Sequence, residues 1–552
     1  MGQSYALCST NGKQIHLVDE QNSRVECLVV HGSYIQDVGD LEKAFTNLLC
    51  ETWVHHCAGN ILVFYSPQDS HAHILEYGAS RLIPLEQGQT IKEVVTSVRD
   101  YIVSDPDIFN NKSKVVQGWG WDHTVWPEGR WPNADDLDAD PIVHGRPVIL
   151  QSKDGHAIWV SRATLNDNGP YPEHVEGGVI ETDSDGNPNG VFLDNAQDLI
   201  HKPEATDADL NGLFTITVRD ALASGLTSIH DCSTCSTVFS ILQKIRIYGM
   251  TYFNESGEYW GDRIAPLVNA GNGRLHCRSV KMFADGALRT GGAALYEPYT
   301  DNPSTNGVMR MPPELINRVI PRFLQDGWQV VRDRANGIVL DAFEKALSDV
   351  DVATLRPRLE HGQLLTEADM KRVGELGVIA SVQPTHVIDD MWYAEERLGP
   401  ERVKGLYAFR SLLDNKAKIT LGSDAPVEGI NPLAGFYAAI TRLSADGTSP
   451  HGPDGWFPKQ RLTRREALRG MTIDPAYASF TETTLGSLVP GKRADFVILS
   501  QDIMSVAVDK ILETKVVATL GYVYTYRNVC IRLGFGFGTL GDASASGNNI
   551  DS

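Results

Sequence analysis

Residues 419–426 read ITLGSDAP, a short apolar run that ends in a carboxylate and a proline. Seven similar runs occur elsewhere, each ending in polar or ionisable residues and separated from the next by a longer amphipathic stretch. They are the run before 69–73 (DSHAH), 148–150 (VIL), 226–229 (LTSI), 280–283 (VKMF), 328–331 (WQVV), the run that ends at residue 359 before EHG, and 379–382 (IASV). Strands and helices that alternate in this way predict a parallel sheet. Eight such units with chemical groups at the strand ends predict an α/β fold, a (β/α)8 TIM-type barrel.

The two ends of the chain differ from this alternating middle. Both contain short runs rich in β-branched and apolar residues, separated by polar or glycine-containing turns, which is typical of β-strands. We expect them to form one small β-sandwich from residues 1–66 and 487–526, with the barrel formed by residues 67–486. The tail 527–552 is rich in Gly, Ser, Ala and Asn and is expected to be disordered.

The chain is acidic, with 49 basic and 70 acidic residues and a net charge of −21. Such a surface repels phosphate backbones and anionic lipids, so we expect neither a nucleic-acid partner nor a membrane partner. The apolar run 61–65 is too short to span a bilayer, and the first residues do not resemble a secretory signal. The eight cysteines predict reduced thiols, and the close pair Cys232 and Cys235 has no second pair to complete a zinc site. The sequence therefore predicts a cytoplasmic protein.

The segment DSHAH places His71 and His73 two residues apart. In a strand, residues i and i+2 point to the same face, so both imidazoles can reach one ion. Imidazole suits zinc and related divalent metals. Two histidines with this spacing are only a weak indication of a metal site. The indication is stronger here because candidate ligands follow other predicted strands.

Three residues are candidate partners of this histidine pair. Asp424 follows the last strand, which lies beside the first strand in a closed barrel; it could bind an ion and accept a proton from water, or it could be a turn or helix-capping residue. His361 follows the sixth strand and could be a ligand, or a packed or capping histidine. Lys281 is costly to bury as an ammonium, and carboxylation of its amine would make it an anionic ligand; the alternative is a snorkelling or ion-paired lysine.

The order of the motifs HxH, VKMFADG, EHG, QPTH, GSDAP and PGKRADF resembles that of the amidohydrolase superfamily. The segments GWD at 120–122, DGHAIWV at 154–160 and QPTH at 383–386 are similar to its YtcJ-like amidohydrolase-3 group, which includes N-substituted formamide deformylases. The resemblance covers roughly residues 10–525. It implies a metal-loaded barrel with a small β-sandwich, and hydrolysis of amide or related C–N bonds.

The resemblance also implies a ligand set. His71, His73 and Asp424 would hold one divalent metal ion, with zinc as the favoured metal. Lys281, if carboxylated, would bridge to a second ion, and His361 would bind that second ion.

Two departures from the family pattern bear on this ligand set. The family's fifth strand usually resembles QVxVHxIGDRAN, whose histidine is a ligand, whereas residues 329–336 read QVVRDRAN. Arg332 cannot replace that histidine, because a guanidinium stays protonated and offers no lone pair. The second ion would then be poorly coordinated, and a central strand would be shortened. The family also expects PGLID before the histidine pair, where residues 65–69 read YSPQD.

In the implied mechanism the ion activates a water molecule and polarises a carbonyl, and Asp424 accepts the proton and returns it to the leaving nitrogen. His156 and His386 end strands and are predicted to contact the substrate, with structural hydrogen bonding as the alternative. Trp121 and Trp159 could line a substrate pocket or pack in the core.

Three functions stay open on this basis. The favoured one is hydrolysis of a non-peptide C–N bond in a small amide or N-formyl compound. The second is a catalytically impaired, amidohydrolase-like binding protein, because the strand-five histidine is missing. The third is a metal-dependent deaminase. The expected partners are a small-molecule substrate and, as an open alternative to a monomer, a second copy of the chain in a homodimer.

Overall fold

A computed structural model of the protein describes residues 4–42, 53–57, 61–232, 245–254, 258–333, 336–348, 350–521 and 525–527. It confirms the predicted α/β fold with a (β/α)8 barrel and a small sandwich. The expected disordered tail lies outside the described residues except for residue 527. The predicted domain boundaries stay predictions.

The strands follow one another along the chain with short intervals in the sandwich and longer ones in the barrel. In chain order they are β1 (Ser4–Ser9), β2 (Ile15–His16), β3 (Arg24–Val25), β4 (Cys27–His31), β5 (Tyr34–Gly39), β6 (Trp53–Cys57), β7 (Leu62–Tyr65), β8 (Gln68–Ala72), β9 (Val116–Trp121), β10 (Val148–Ser152), β11 (Ala157–Val160), β12 (Gly178–Thr182), β13 (Pro188–Asp194), β14 (Ser228–Asp231), β15 (Arg246–Tyr252), β16 (Leu267–Asn269), β17 (Leu275–Phe283), β18 (Gln329–Asp333), β19 (Arg358–Glu360), β20 (Ile379–Val382), β21 (Lys418–Leu421), β22 (Phe496–Leu499), β23 (Val516–Leu520) and β24 (Thr525–Arg527).

The helices mostly follow barrel strands, as the alternation in the sequence predicts. In chain order they are α1 (Ile74–Ser80), α2 (Ile91–Ser104), α3 (Pro106–Asn110), α4 (Ala134–Asp138), α5 (Arg162–Asn168), α6 (Asp207–Ala223), α7 (Pro313–Gln325), α8 (Asn336–Leu347), α9 (Val352–Leu355), α10 (Glu367–Glu375), α11 (Pro384–Asp390), α12 (Ala394–Arg402), α13 (Phe409–Asp414), α14 (Pro432–Thr441), α15 (Arg464–Gly470) and α16 (Ile473–Ala478). Within the described parts of the chain, none of the helices has the length and apolar character needed to cross a membrane.

The barrel sheet contains eight parallel strands in the order β8, β14, β15, β17, β18, β19, β20 and β21. An isolated parallel bridge between Ala72 and Ala425 joins its first and last strands. Both faces of such a sheet are covered, which explains why a strand such as β20 is buried along its whole length. Because the strands are parallel, their carboxyl ends meet at one mouth of the barrel.

One predicted barrel strand is wrong. The run 148–150 lies in β10, which pairs with β9 and β11 in a separate five-stranded sheet inserted between the first two barrel strands. The third barrel strand is β15 instead. Its Arg246 is buried against Asp495, with 2.7 Å between Nε and Oδ2. Strand β15 begins with a charged residue and contains Gly249, so its sequence is not a continuous apolar run and is not recognised as a barrel strand.

The sandwich unites both ends of the chain. β7 pairs with β2 on one side and with β22 on the other, so N-terminal and C-terminal strands share one six-stranded sheet. A four-stranded sheet formed by β5, β4, β1 and β6 packs against it through apolar side chains such as Leu28, Val63 and Phe496. Cys8 and Cys27, paired across β1 and β4, form a disulfide, so the prediction of reduced thiols is wrong for this pair.

The strand that departs from the family pattern is present in the barrel. β18 pairs with β17 over five residues and with β19 over three. Arg332 lies within this strand. The shorter sequence at this point therefore leaves a fifth strand that is paired on both sides.

Candidate metal centre

The predicted histidine pair lies at the end of the first barrel strand. His71 is the fourth residue of β8 and is fully buried, whereas the side chain of His73 is 19% exposed. Asp424 Oδ1 lies 3.2 Å from His71 Nε2 and 3.4 Å from His73 Nε2. Both imidazoles therefore face one carboxylate, as the spacing of two residues in an extended chain requires.

Asp424, the third residue after the last barrel strand, is held in an unusual backbone conformation. Its φ is 58°, which residues other than glycine rarely adopt, and such strain often marks functional sites. Its backbone N–H donates to the carbonyl oxygen of His71 at 2.7 Å, so the end of the last strand is fixed against the end of the first. Its Oδ2 lies 3.6 Å from His386 Nε2 and 3.9 Å from His361 Nδ1.

The electrostatics of this cluster keep Asp424 ionised. Burial by itself raises the pKa of its carboxyl group, but the imidazoles of His71, His73 and His361 outweigh burial and hold that pKa well below its ordinary value. A carboxylate in this state has the charge and the lone pairs that a metal ligand or a proton acceptor needs.

The remaining predicted ligands reach the same place. His361 follows β19, also with a positive φ, and its ring stacks parallel to that of His386 with 5.8 Å between the ring centroids. Lys281 is fully buried in β17, and its Nζ lies 3.2 Å from His71 Nε2. The structure thus brings together all five predicted ligands. His386, predicted as a substrate contact, joins them from the first turn of α11.

Two residues that the sequence motifs do not reveal hold His71 in place. Glu360, the last residue of β19, accepts a short hydrogen bond from His71 Nδ1, and its other oxygen lies 2.8 Å from Arg358 Nε. Burial raises the pKa of Glu360, but Arg358 and His71 outweigh it and lower that pKa to about 2. Because Nδ1 of His71 is engaged by a carboxylate, Nε2 is left facing Asp424 and Lys281. This is the arrangement in which metal-binding histidines are usually oriented.

The contact to Glu360 leads to a testable expectation. Glu360→Gln should weaken zinc binding about 10–100-fold, because the neutral amide no longer fixes the orientation and basicity of His71. Competition with a chromophoric chelator measures this affinity. The exposed Glu375→Gln provides the matched control and should bind zinc as the wild type does. Equal affinities for the two variants would show that Glu360 does not position His71.

A second buried carboxylate joins the first and last strands. Asp69 Oδ1 accepts hydrogen bonds from the backbone N–H groups of His71 and Ser423, at 3.1 and 2.9 Å, and its Oδ2 accepts one from the Ser423 hydroxyl at 2.5 Å. Burial raises the pKa of Asp69 to about 6. The segment 65–69 departs from the family pattern but retains its aspartate, Asp69, which links the first barrel strand to the residues after the last one.

The inserted five-stranded sheet covers the barrel mouth through ion pairs. Lys153, directly after β10, places Nζ 2.7 Å from Asp389 Oδ2 and 3.0 Å from Glu428 Oε1, so it reaches helix α11 after the seventh strand and the loop after the eighth. Arg289, in the segment after the fourth strand, places Nη1 2.8 Å from Asp122 Oδ2. The ends of β9 and β10 are thereby fixed over the mouth.

The other two predicted substrate contacts lie in this inserted sheet. His156 Nδ1 is 2.6 Å from Asp194 Oδ1, and Asp194 has a φ of 49° and contacts the loop after the fourth strand near Gly286. Trp121 is fully buried, donates from Nε1 to the carbonyl oxygen of Leu150 and packs against Trp159. The structure therefore places His156 near the mouth, but it favours the core-packing role for Trp121 and Trp159.

The donor set of this cluster fits a divalent metal. Ligand atoms of His71, His361 and Asp424 lie within 4.8 Å of one another, and so do those of His71, His73 and Cys232. Within the described parts of the chain, Asp424 Oδ1 receives no hydrogen bond of normal geometry, which leaves a buried anionic oxygen for a cation. Imidazole, carboxylate and thiolate are the donors of zinc sites. The sequence predicts no zinc site at Cys232, since no second cysteine pair lies near it in the chain. The histidines that lie beside Cys232 in the fold are distant from it in sequence.

Several known proteins are similar to this chain over most of its length. A model of the amidohydrolase family matches residues 68–526. The protein LONG AFTER FAR-RED 3 of Arabidopsis thaliana is 31% identical, over 78% of this chain and 76% of the relative. YtcJ of Bacillus subtilis is 28% identical over 89% and 94% of the two chains. The N-substituted formamide deformylase of Arthrobacter pascens is 25% identical over 92% and 95%.

A solved structure shares the same architecture. The crystal structure of an uncharacterized metal-dependent hydrolase from Pyrococcus horikoshii is 25% identical, with a TM-score of 0.71, and covers 92% of this chain and 99% of its own. Together with the family match over most of the chain and the similarity to YtcJ, this confirms the resemblance noted in the sequence motifs. The chain belongs to the amidohydrolase family, in its YtcJ-like group.

Proposed function

We propose that this protein is a metal-dependent hydrolase that cleaves a non-peptide C–N bond in a small amide or N-formyl compound. The observation that carries the proposal is the convergence of His71, His73, His361 and Asp424 at the barrel mouth. Membership of the amidohydrolase family supports hydrolysis. The relative named as an N-substituted formamide deformylase supports the substrate class. Zinc is the proposed metal, because imidazole donors favour it over magnesium or calcium.

The side chains of the centre have separate roles in this reaction. His71, His73 and Asp424 would hold one divalent ion. His361 and Lys281, if carboxylated, would hold a second ion beside it. A bound ion would lower the pKa of a water molecule and polarise the substrate carbonyl. Asp424 takes a proton from the attacking water as the new C–O bond forms, and it passes this proton to the nitrogen as the C–N bond breaks. The products are an acid and an amine.

We assign two histidines to the substrate. His386 lies beside Asp424 Oδ2, where it can donate a hydrogen bond to the carbonyl oxygen. His156 is oriented by Asp194 at the mouth, where it can contact the leaving group. Both roles belong to the proposal.

The rival functions make different predictions about metal and substrate. The impaired binding protein is favoured by Arg332, which stands in the strand where the family pattern has a ligand histidine. That protein would bind little metal and hydrolyse nothing. A deaminase would bind metal but release ammonia from a ring C–N bond. No structural observation favours the deaminase over the amide hydrolase.

Metal analysis and a substrate panel distinguish these functions. We expect the purified full-length protein, supplied with zinc, to retain close to one or two ions per chain and to hydrolyse at least one member of a panel of N-formyl and cyclic amides. Elemental analysis and amine detection are the measurements. Protein that retains no metal after loading, or that holds metal but hydrolyses only ring amines, would contradict the proposal.

We further propose a cytoplasmic protein that acts on a small molecule and forms a homodimer. Disulfides are rare in the cytosol, so a cytoplasmic location requires that Cys8 and Cys27, which form a disulfide in the structure, be reduced in the cell. Cys8 and Cys27 are buried, so alkylation during lysis of source cells in denaturant tests this location: alkylation of both residues without added reductant is expected only for protein from a reducing compartment. Light scattering of the purified chain tests the dimer.

A further inference from the structure

The thiol of Cys232 lies beside the histidine pair. Cys232 follows β14 directly, is 1% exposed and is a free cysteine among the described residues. Its backbone N–H donates to the carbonyl oxygen of Ala72 at 3.0 Å, and Ala72 is the residue between His71 and His73. The register between the first two barrel strands therefore fixes the thiol next to both imidazoles.

The distances suit a shared cation. The ligand atoms of Cys232, His71 and His73 lie within 4.8 Å of one another. Donors bound at about 2.0–2.3 Å to one tetrahedral zinc ion lie about 3.3–3.6 Å apart, so this group closes on an ion with a contraction of about 1.5 Å at most. An independent observation points to a cation here: the buried Asp424 Oδ1, which faces the same two imidazoles, receives no hydrogen bond of normal geometry from any residue in the described ranges.

The other side of the thiol is apolar. Cys232 packs with Met250 and Val331 from the third and fifth strands, and its Sγ lies 3.7 Å from Met250 Sδ. Val331 directly precedes Arg332, so the thiol faces the strand in which the family pattern places a histidine ligand and this chain does not. The Sγ of Cys232 also lies 3.9 Å from the carbonyl oxygen of His230, two residues earlier in the chain.

We propose that Cys232 is a ligand of the metal centre, together with His71 and His73, and that the centre therefore selects a thiophilic divalent cation. The proposal rests on the proposed function, because it assigns a residue to the same centre. On binding, the thiol releases its proton to solvent and a metal–sulfur bond forms. Zinc is the expected ion, because thiolate ligands discriminate against magnesium and manganese.

Cobalt substitution tests the proposal in the full-length protein. Cobalt-loaded wild type should show a near-ultraviolet thiolate-to-cobalt charge-transfer band. Cys232→Ser should lose the band, and its zinc affinity should fall about tenfold or more, since even an indirect partner of a ligand is worth that much. Met250→Leu is the matched control, because it changes the packing around the thiol but keeps the sulfur of Cys232, and it should keep the band.

X-ray absorption of the zinc-loaded wild type provides a second measurement that does not depend on a variant folding. It should show sulfur at about 2.3 Å from zinc. Wild-type protein that holds zinc or cobalt and hydrolyses amides without a sulfur signal would overturn the role of Cys232 and leave the proposed function intact. Wild-type protein that binds neither metal would overturn both.

Discussion

Replacing Asp424 by asparagine should lower turnover by about 10²–10⁴-fold, the range that loss of a general acid–base group produces. The amide has the size of the carboxylate and keeps one oxygen, but it cannot accept the proton of the attacking water. His71 and His73 stay in place, since the backbone of residue 424 still donates to the His71 carbonyl. Steady-state rates on the best substrate, with metal content measured on the same samples, test the expectation.

The control for this variant is another buried aspartate outside the centre. Asp369 lies at the start of α10 and accepts a hydrogen bond from Thr366, which an asparagine oxygen can also accept. Asp369→Asn should therefore retain wild-type turnover. Full turnover by Asp424→Asn would refute its role as proton acceptor. Lost turnover together with lost metal would be explained by the role of Asp424 as a metal ligand alone and would not support proton transfer by its carboxylate.

Asp495→Ala should destabilise the protein by about 3–5 kcal/mol, the cost of leaving a buried charge without its partner. Asp495 lies just before β22 of the sandwich, and its carboxylate contacts Arg246 in the third barrel strand. The side chains are 2% and 9% exposed, so water cannot replace the lost partner. Urea unfolding followed by circular dichroism measures the free energy of unfolding.

Two further variants separate charge burial from other effects. Glu513→Ala removes one partner of an exposed ion pair with Lys510 and should cost less than about 1 kcal/mol. The double variant Arg246→Met/Asp495→Leu replaces the buried pair by apolar side chains and should recover much of the lost stability. If the double variant is as unstable as Asp495→Ala, the cost comes from packing rather than from the isolated charge.

The barrel could be predicted from local sequence, but one of its strands could not. An apolar run followed by ionisable residues marks a strand that ends at a ligand site, and seven of the eight barrel strands have this form. The run 148–150 has it as well, since a strand buried on both faces looks the same in any sheet. Only its pairing with β9 shows which sheet it joins. The missed strand begins with Arg246, whose charge is balanced by a residue far along the chain.

The ligands could also be proposed from spacing and order, whereas the residues that support them could not. His71 and Asp424 belong to short motifs that can be recognised singly. Glu360 contacts His71 from another strand, and the thiol of Cys232 comes near His71 only in the folded chain. The sequence shows no local sign of such contacts. For Trp121, an aromatic residue after a glycine fits both a pocket and a core, and only its burial separates the two.

The hydrogen bond between residues 424 and 71 has a consequence for biosynthesis. The histidine pair leaves the ribosome early, but the carboxylate that it faces is translated near the end of the barrel. A nascent chain therefore cannot acquire a complete centre until residue 424 has emerged, and a product truncated before that point would be inert however well its first strands had folded.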